Sequence, residues 1–265
     1  MFYTIGFISR PIIQVAGIFC DLEKAFDSVN YDKLINKLKY YGVNEISISW
    51  FKSYLYSRKQ RVNISVNNIH SYSSTWEKVK WRIPQGSVLG KLLFIIYVND
   101  LPRHINHSAN VMLYADDTSI LITENNYEDL NQTIKLALDC SNRWFKANQL
   151  VLNLTKTNII KFSPSNFFQP QLILDHNNTI ISEVPSTKFL GVQIDNHLNW
   201  KCHIDQILPK LSTVSFVNRQ LSYILDLETL RIAYFSYFHS IIRYGIIFWG
   251  NATDSCKVSD CRKGW

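Results

Sequence analysis

Two short apolar runs flank a pair of adjacent carboxylates near the middle of the chain, and this stretch constrains the fold more than any other. The runs are residues 111–113 and 120–122, and Asp116 and Asp117 lie between them. Apolar runs separated by residues that tolerate turn geometry predict a tight β-hairpin. We expect the flanks to be buried on both faces and the two carboxylates to form the hairpin tip.

Adjacent carboxylates at such a tip have two interpretations. Burying like charges is costly unless a cation neutralises them, so the first interpretation is a site for a divalent metal. The second is a solvated Asp–Asp turn at the margin of a sheet, and the hexapeptide 113–118 by itself favours it. The remainder of the chain has to decide between the two.

The composition is that of a folded, basic protein. The chain has 265 residues, 46% of them hydrophobic and 14% aromatic, which suits one large domain or two small ones. The net charge of +7 favours a polyanionic partner, with nucleic acid ahead of an anionic membrane. No apolar run approaches the roughly 18 residues that a membrane span requires, and the first residues do not resemble a signal peptide. Because the five cysteines are scattered and odd in number, we expect reduced thiols in an intracellular, non-secreted protein of the nucleus or cytoplasm.

The spacing of apolar residues predicts the order of helices and strands. A strand over 15–20 ends at Asp21, and a helix that Asn30 caps is closed by Gly42. The other predicted elements are helices over 46–56, 87–98, 130–145, 200–225 and 228–243, and strands over 61–66, 157–162, 172–174 and 189–194. The main elements follow the order β-α-β-β-α-β of a ferredoxin-like sheet, with extra helices inserted in the first crossover.

In that order the first strand and the hairpin are neighbours, so Asp21 would meet Asp116 and Asp117 at one end of the sheet. Three carboxylates on two adjacent strands are the arrangement that a two-metal phosphoryl-transfer site needs, and Mg²⁺ suits an all-oxygen site. The competing interpretation makes Asp21 a helix cap and the hairpin acids a solvated turn. The predicted geometry leaves the two interpretations nearly even.

Several segments in register resemble the motifs of reverse transcriptases, and most closely those of non-LTR retrotransposons of the LINE or jockey type. DLEKAFDSV at 21–29, IPQGSVLG at 83–90 and YADD at 114–117 resemble motifs A, B and C, and NLTKT at 153–157 resembles motif D. FLGV at 189–192, followed by Asn199 and Trp200, resembles the segment that enters the thumb. The resemblance implies an α+β, ferredoxin-like polymerase palm with inserted helices, followed by a helical thumb.

The same resemblance implies catalytic roles for four residues. Asp21 and Asp116 would hold two Mg²⁺ ions, which Mn²⁺ can replace, and Asp117 would lie beside them as a less direct metal ligand. Lys156 would protonate the departing pyrophosphate, a general-acid role. The alternative for Lys156 is a solvated surface charge.

Four further residues are implied to contact the incoming nucleotide. The backbone beginning at Leu22 would face the triphosphate, and Phe26 would crowd the sugar 2′ position. Gln85 and Gly86 would lie against the nucleotide and the template base, before a helix that opens at Ser87. Without the resemblance, Phe26 is an ordinary core aromatic.

Clustered basic residues are candidates for contacts with nucleic-acid backbone, although each cluster fits a solvated face equally well. They are Arg58, Lys59, Arg61, Lys80 and Arg82. Two positions depart from the family pattern, because Arg82 and Lys91 stand where relatives usually carry a glycine and a proline.

The predicted function is that of an RNA-directed DNA polymerase, a nucleotidyltransferase, acting with an RNA template, a DNA primer and deoxynucleoside triphosphates, and with no membrane. We expect a palm with partial fingers over 1–195, a thumb and thumb-proximal region over 196–252, and an unassigned tail over 253–265. Because only twenty residues precede Asp21, we expect a fragment that lacks most of the fingers and the upstream endonuclease region of a parent polyprotein. The alternative is a catalytically inactive nucleic-acid-binding remnant of such an element.

Overall fold

The computed structural model describes residues 13–56, 58–66, 70–79, 82–83, 86–105, 109–163, 173–176 and 179–263. Its first elements in chain order are β1 (Gln14–Cys20), β2 (Leu22–Glu23), α1 (Tyr31–Tyr40), α2 (Glu45–Tyr56), β3 (Lys59–Gln60), β4 (Asn63–Val66), β5 (His70–Ser73), β6 (Glu77–Lys78), α3 (Val88–Val98), β7 (Ala109–Tyr114), β8 (Asp117–Glu124), α4 (Tyr127–Ala147) and β9 (Val151–Leu152). They are followed by β10 (Asn158–Phe162), β11 (Ile173–His176), β12 (Thr179–Ser182), β13 (Ser186–Phe189), β14 (Val192–Asp195), α5 (Lys201–Leu221), α6 (Leu227–Ala233), α7 (Ser240–Arg243), α8 (Ile246–Trp249) and α9 (Ser255–Lys263). Two short 3-10 helices span Ala25–Asp27 and Leu101–His104, and a π-helix spans Tyr234–His239.

The chain divides into two compact units. The N-terminal unit runs up to Thr157 and includes Leu174–Ile181, and the C-terminal unit comprises Asn158–Ile173 and Ser182–Trp265. Both units contain helices and strands, which confirms the predicted mixed class. The division into palm and thumb at residue 195 stays a prediction. None of the helices in the described ranges combines the length and the apolar composition of a bilayer-spanning segment.

The sheet of the N-terminal unit has β8 between β1 and β7, with both pairings antiparallel. Cys20 is the last residue of β1 and lies opposite Thr118 of β8. Tyr114 and Asp117 form the last pair of the β7–β8 hairpin. The first strand and the hairpin are therefore neighbours, as the sequence predicted.

The two strands of the hairpin differ in burial. Ile120 of β8 is fully buried, whereas Met112 and Tyr114 of β7 are 52% and 66% exposed. The prediction that both flanks are buried on both faces was therefore wrong for β7. The reason is that β7 is an edge strand of the sheet, and every second side chain along it points away from the core.

Polar caps begin the helices where the sequence predicted them. The Asn30 side chain accepts a hydrogen bond from the backbone N–H of Lys33 at 3.0 Å, and Ser87 accepts one from Gly90 at 3.0 Å. The long helix α4 packs on β1 and β8 and buries an apolar stripe that includes Leu130, Ile134 and Leu138. The caps determine where these helices begin, and the apolar stripe determines which face of α4 packs on the sheet.

The predicted strand over 189–194 was wrong, because a turn interrupts it. Phe189 and Val192 are the closing pair of the β13–β14 hairpin, and the chain reverses between them. Leu190 and Gly191 have φ angles of 45° and 82°. Two consecutive left-handed residues produce a tight turn whose twist matches the flanking strands, and the apolar character of the segment concealed this turn.

The C-terminal unit has its own apolar core. Its fully or nearly fully buried members are Ile204, Ile207, Leu211, Phe238, Trp249 and Val258. Val258 belongs to α9, in the tail to which the sequence assigned no element, and α9 packs against α5. The helix predicted over 228–243 is interrupted by the π-helix at Tyr234–His239.

A buried carboxylate organises the link between β14 and α5. Asp195 is 4% exposed and accepts hydrogen bonds from the backbone N–H groups of Asn199 at 2.9 Å and Trp200 at 2.8 Å. These bonds hold a loop in which Leu198 and Trp200 both have positive φ angles. Because each such residue costs energy, the loop depends on this carboxylate for its conformation.

Candidate active site

Strand register brings Asp21 next to the two hairpin carboxylates. Asp21 follows Cys20, whose partner across the sheet is Thr118, so the next position on β8 is Asp117. The hairpin tip consists of Ala115 and Asp116, because Tyr114 and Asp117 are still paired. The tip is thus shifted by one residue from the Asp–Asp pair that the sequence predicted, and Ala115 makes the turn with a φ of 54°.

The three carboxylates lie within electrostatic range of one another. Partial burial raises the pKa of Asp117, and the negative charges of Asp116 and Asp21 raise it further. Within the described part of the chain, no three acidic, histidine or cysteine side chains form a ready-made metal site. The metal-bridging distance between Asp21 and Asp116 stays a prediction.

Lys156 reaches the same place from the loop after β9. β2 and β9 pair antiparallel, with Leu22 opposite Leu152, and the N–H of Asn153 donates to the backbone carbonyl of Asp21 at 2.8 Å. The Lys156 Nζ lies 4.0 Å from Asp21 Oδ2, and both side chains are substantially exposed. The Leu22 side chain is buried, and its backbone takes part in this short ladder.

Phe26 forms part of a cavity of about 590 Å³ beside the hairpin tip. It lies in the short 3-10 helix after β2, and its ring centroid is 4.6 Å from that of the buried Phe94. The cavity is lined by Phe26, Lys91, Ile95, Val98, Asn99, Leu113, Tyr114, Ala115 and Asp116. An aromatic side chain and a site carboxylate therefore face the same space, whose volume suits a small-molecule ligand.

Sequence reasoning missed that one face of α3 lines this cavity. Lys91, Ile95 and Asn99 recur every four residues, so they lie on one side of the helix. Ile95 is 50% exposed although the residues of the helix are almost all apolar. The four-residue spacing of Lys91, Ile95 and Asn99 was the feature of the sequence that could have predicted this shared face.

The segment before α3 contains a strained arginine. Arg82 has a φ of 99°, a region that glycine occupies readily and other residues rarely do. Its Nε lies 2.8 Å from Asp27 Oδ1, and its carbonyl accepts hydrogen bonds from Tyr31 Oη at 2.9 Å and Arg58 at 3.0 Å. Gly86 also has a positive φ, of 84°. Lys80 and Gln85 lie outside the described residues.

The other predicted nucleic-acid-binding residues lie on and beside the short strand β3, with Lys59 on the strand and Arg58 and Arg61 flanking it. Lys59 is directly opposite Lys78 in the β3–β6 pair, and both are exposed. Arg61 places its guanidinium 4.7 Å from the ring centroid of the exposed Trp76. Like charges opposite each other destabilise a strand pair, so this surface gains from an anionic partner.

Comparison with known proteins identifies the class. The family model described as reverse transcriptase (RNA-dependent DNA polymerase) matches residues 13–194. This chain belongs to the reverse transcriptase family. Its members generally use divalent metal ions.

Two relatives come from mobile elements of Drosophila melanogaster. The probable RNA-directed DNA polymerase from transposon BS is 30% identical over 259 residues, covering 90% of this chain and 27% of the relative. The RNA-directed DNA polymerase from mobile element jockey is 26% identical over 203 residues, covering 74% of this chain and 21% of the relative. The predicted similarity to reverse transcriptases of non-LTR retrotransposons is confirmed. The chain spans about a quarter of the length of these curated relatives.

Among solved structures, telomerase from Candida tropicalis in complex with a fragment of telomeric RNA is similar to this chain. The TM-score is 0.49 at 12% sequence identity, and the match covers 96% of this chain and 41% of the telomerase chain.

Proposed function

We propose that this chain contains the active centre of an RNA-directed DNA polymerase, formed by Asp21, Asp116 and Asp117. The observation that carries the proposal is the β1–β8–β7 register, which sets Asp21 beside the hairpin carboxylates. Family membership supports the same chemistry. A purely structural origin for three neighbouring acids is disfavoured, since burial and the charges of Asp116 and Asp21 raise the pKa of Asp117.

The donor set fits divalent metal ions. All three side chains offer carboxylate oxygens, which are the ligands that Mg²⁺ and Mn²⁺ prefer when substrate phosphates complete their coordination. Asp21 and Asp116 would hold two ions, with Asp117 as the less direct ligand. When bound, such ions lower the pKa of an attacking hydroxyl and stabilise the charge of the leaving group.

The remaining residues orient the nucleotide and donate a proton to its leaving group. Lys156, close to Asp21, is placed to donate a proton to the departing pyrophosphate from the exposed side of the site. Phe26 is a wall of the cavity that Asp116 also lines, so it excludes a 2′-hydroxyl from a sugar bound there. The backbone at Leu22, together with Gln85 and Gly86, would contact the triphosphate and the template base.

An RNA template and a DNA primer would bind over the basic strand pair of the N-terminal unit. Lys59 faces Lys78, so a phosphate lying between them would relieve their repulsion. Arg61 and Trp76 form an exposed cation–π pair that offers both a charge and a stacking surface to a single strand. We assign Arg58 and Arg82 a supporting role, because Arg58 donates to the Arg82 carbonyl.

In this proposal the polymerase palm contains the β1–β8–β7 sheet and lies within residues 1–195, and the thumb lies within 196–252. The ferredoxin-like order of the main elements supports the palm assignment. The helical character of α5 to α8 supports the thumb assignment.

Primer extension on an RNA template with Mg²⁺ tests the proposal. Asp21→Asn should lower the rate of extension at least a hundredfold, because it removes the negative charge of a metal-binding carboxylate. Glu128→Gln, which neutralises an exposed acid in the first turn of α4, is the matched control and should leave the rate unchanged. Binding of the RNA–DNA hybrid without any extension would instead support the inactive nucleic-acid-binding remnant.

A further inference from the structure

The C-terminal unit contains a cavity that the proposed polymerase centre does not use. Its volume is about 490 Å³, and it lies between the C-terminal half of α5 and the start of α6 with the adjoining π-helix. The residues that line it are Ser215, Asn218, Arg219, Ser222, Leu227, Leu230, Arg231 and Tyr234. Cavities of this volume hold small ligands or parts of larger ones, with a few polar groups that fix orientation.

A buried amide in the cavity wall needs a hydrogen-bond acceptor. Asn218 is 4% exposed, and its side-chain amide nitrogen has no hydrogen-bond partner among the residues that the structure describes. Buried polar groups in proteins are nearly always paired, so an unpaired donor beside a cavity indicates an acceptor from outside the chain.

Two arginines give the cavity its charge. Arg219 and Arg231 come from different helices, α5 and α6, and both line the cavity. Two acids, Asp226 and Glu228, flank Leu227 in the chain, and Asp226 accepts a hydrogen bond from Thr229 at the start of α6, which lowers the pKa of Asp226 and keeps its carboxylate charged. The cavity lining itself contains no acidic side chain among the described residues. The side chains that line the cavity therefore have a net positive charge, which favours an anion.

The other wall is apolar and aromatic. Leu227 is 84% exposed, and Tyr234 stacks on the buried Phe238 with ring centroids 5.4 Å apart. A bare inorganic anion would leave this wall uncovered. An anion that is attached to a flat or apolar group would cover it.

We propose that this cavity binds a phosphate group that is joined to a nucleoside. The phosphate lies between Arg219 and Arg231 and accepts the amide hydrogen of Asn218, and the sugar or base lies against Leu227 and Tyr234. Arginine guanidinium groups and amide N–H donors are the partners that phosphate oxygens use. The phosphate comes either from a free nucleotide or from a nucleic-acid strand, and the site does not require the metal-binding carboxylates.

Two probes distinguish these sources, both measured on the full chain in EDTA so that the carboxylate site binds no metal. The first is ADP, followed by calorimetry, and the second is a fluorescein-labelled oligouridylate of fifteen nucleotides, followed by anisotropy. The test variants are Arg219→Gln combined with Arg231→Gln, and Ser222→Glu, which adds a negative charge to the cavity wall. Both change exposed residues, so the fold should persist, and circular dichroism melting verifies this. Arg243→Gln combined with Lys188→Gln, and Ser212→Glu, make the same charge changes at exposed positions outside this cavity.

A tenfold or greater loss of ADP affinity in both test variants, with less than a twofold change in the controls, supports a free nucleotide as the ligand. If the affinity for the oligouridylate falls in this way and the affinity for ADP does not, the result supports a phosphate of a nucleic-acid strand as the ligand. Equal losses in test and control variants, or no binding of either probe to the unmodified chain, would overturn the proposal.

Discussion

The Lys156 ammonium lies 4.0 Å from a carboxylate oxygen of Asp21, although the two residues belong to motifs that are far apart in the sequence. The contact depends on the β2–β9 pair and on the hydrogen bond from Asn153 to the Asp21 carbonyl. A cation is thus held beside the site carboxylates by backbone hydrogen bonds rather than by side-chain packing. Because both side chains are exposed, the pair adds little to stability.

Replacing Lys156 should impair the chemical step of nucleotide addition. We expect Lys156→Met to lower kcat about a hundredfold with a small change in the KM for nucleotide, since a lost general acid acts in the transition state. Single-turnover primer extension measures this. Lys135→Met, an exposed lysine of α4, is the control, and an equal decrease in both variants would show that Lys156 is only a surface charge.

Replacing Phe26 should relax the choice of sugar. The ring packs on Phe94 and faces the cavity that Asp116 lines, so Phe26→Ala would open space for a 2′-hydroxyl. We expect discrimination against ribonucleotides to fall by ~1–3 kcal/mol in a single-nucleotide incorporation assay. Ile95→Ala enlarges the same cavity elsewhere and should leave sugar discrimination intact. Unchanged selectivity in Phe26→Ala would make Phe26 an ordinary packing residue.

Replacing Arg82 should show how much backbone strain the chain tolerates there. With a φ of 99°, Arg82 occupies a conformation that costs of order 1–3 kcal/mol for a residue with a Cβ atom. Its ion pair with Asp27 is partly exposed and is worth at most ~1 kcal/mol. Arg82→Gly should therefore be more stable than Arg82→Ala by ~1 kcal/mol or more.

Urea unfolding measures that difference. Both variants lose the ion pair, so the comparison isolates the backbone conformation. Equal free energies of unfolding for the glycine and alanine variants would mean that the segment relaxes when the arginine is removed.

His203 should make the stability of the chain depend on pH. Its ring is 4% exposed and accepts a hydrogen bond from the N–H of Gln193 at 3.3 Å, and burial, with the charge of Lys210, lowers the pKa of His203. The unfolded chain then binds the proton more tightly than the folded chain does. The stabilisation is fully present above the unfolded pKa of about 6.5 and decreases as the pH falls below it.

Thermal melts from pH 8 to pH 5 should show this decrease. His203→Gln retains an acceptor for Gln193 and cannot be protonated, so its stability should vary less with pH. His104→Gln, at an exposed position, should behave like the unmodified chain. The same pH dependence in His203→Gln would assign the effect to other groups.

Local signals in the sequence predicted the longer helices and the strands of the main sheet. Asn30 and Ser87 cap the helices that follow them, and the apolar runs around the Asp–Asp pair form a hairpin. These predictions succeed because caps and tight turns depend on neighbouring residues. The strand predicted over 189–194 was wrong because the segment is apolar, and Gly191 was its only residue that indicated a left-handed turn.

The candidate site required both kinds of information. The sequence by itself determined which residues are candidates for the proposed chemistry, since carboxylates in matching motifs are read directly from the chain. Only the tertiary structure decided that Lys156 meets Asp21, that α3 lines the cavity beside Phe26, and that Arg82 is strained. Such relationships depend on strand register and on packing between segments distant in the chain, because the hydrogen bonds that set them have no local signature in the sequence.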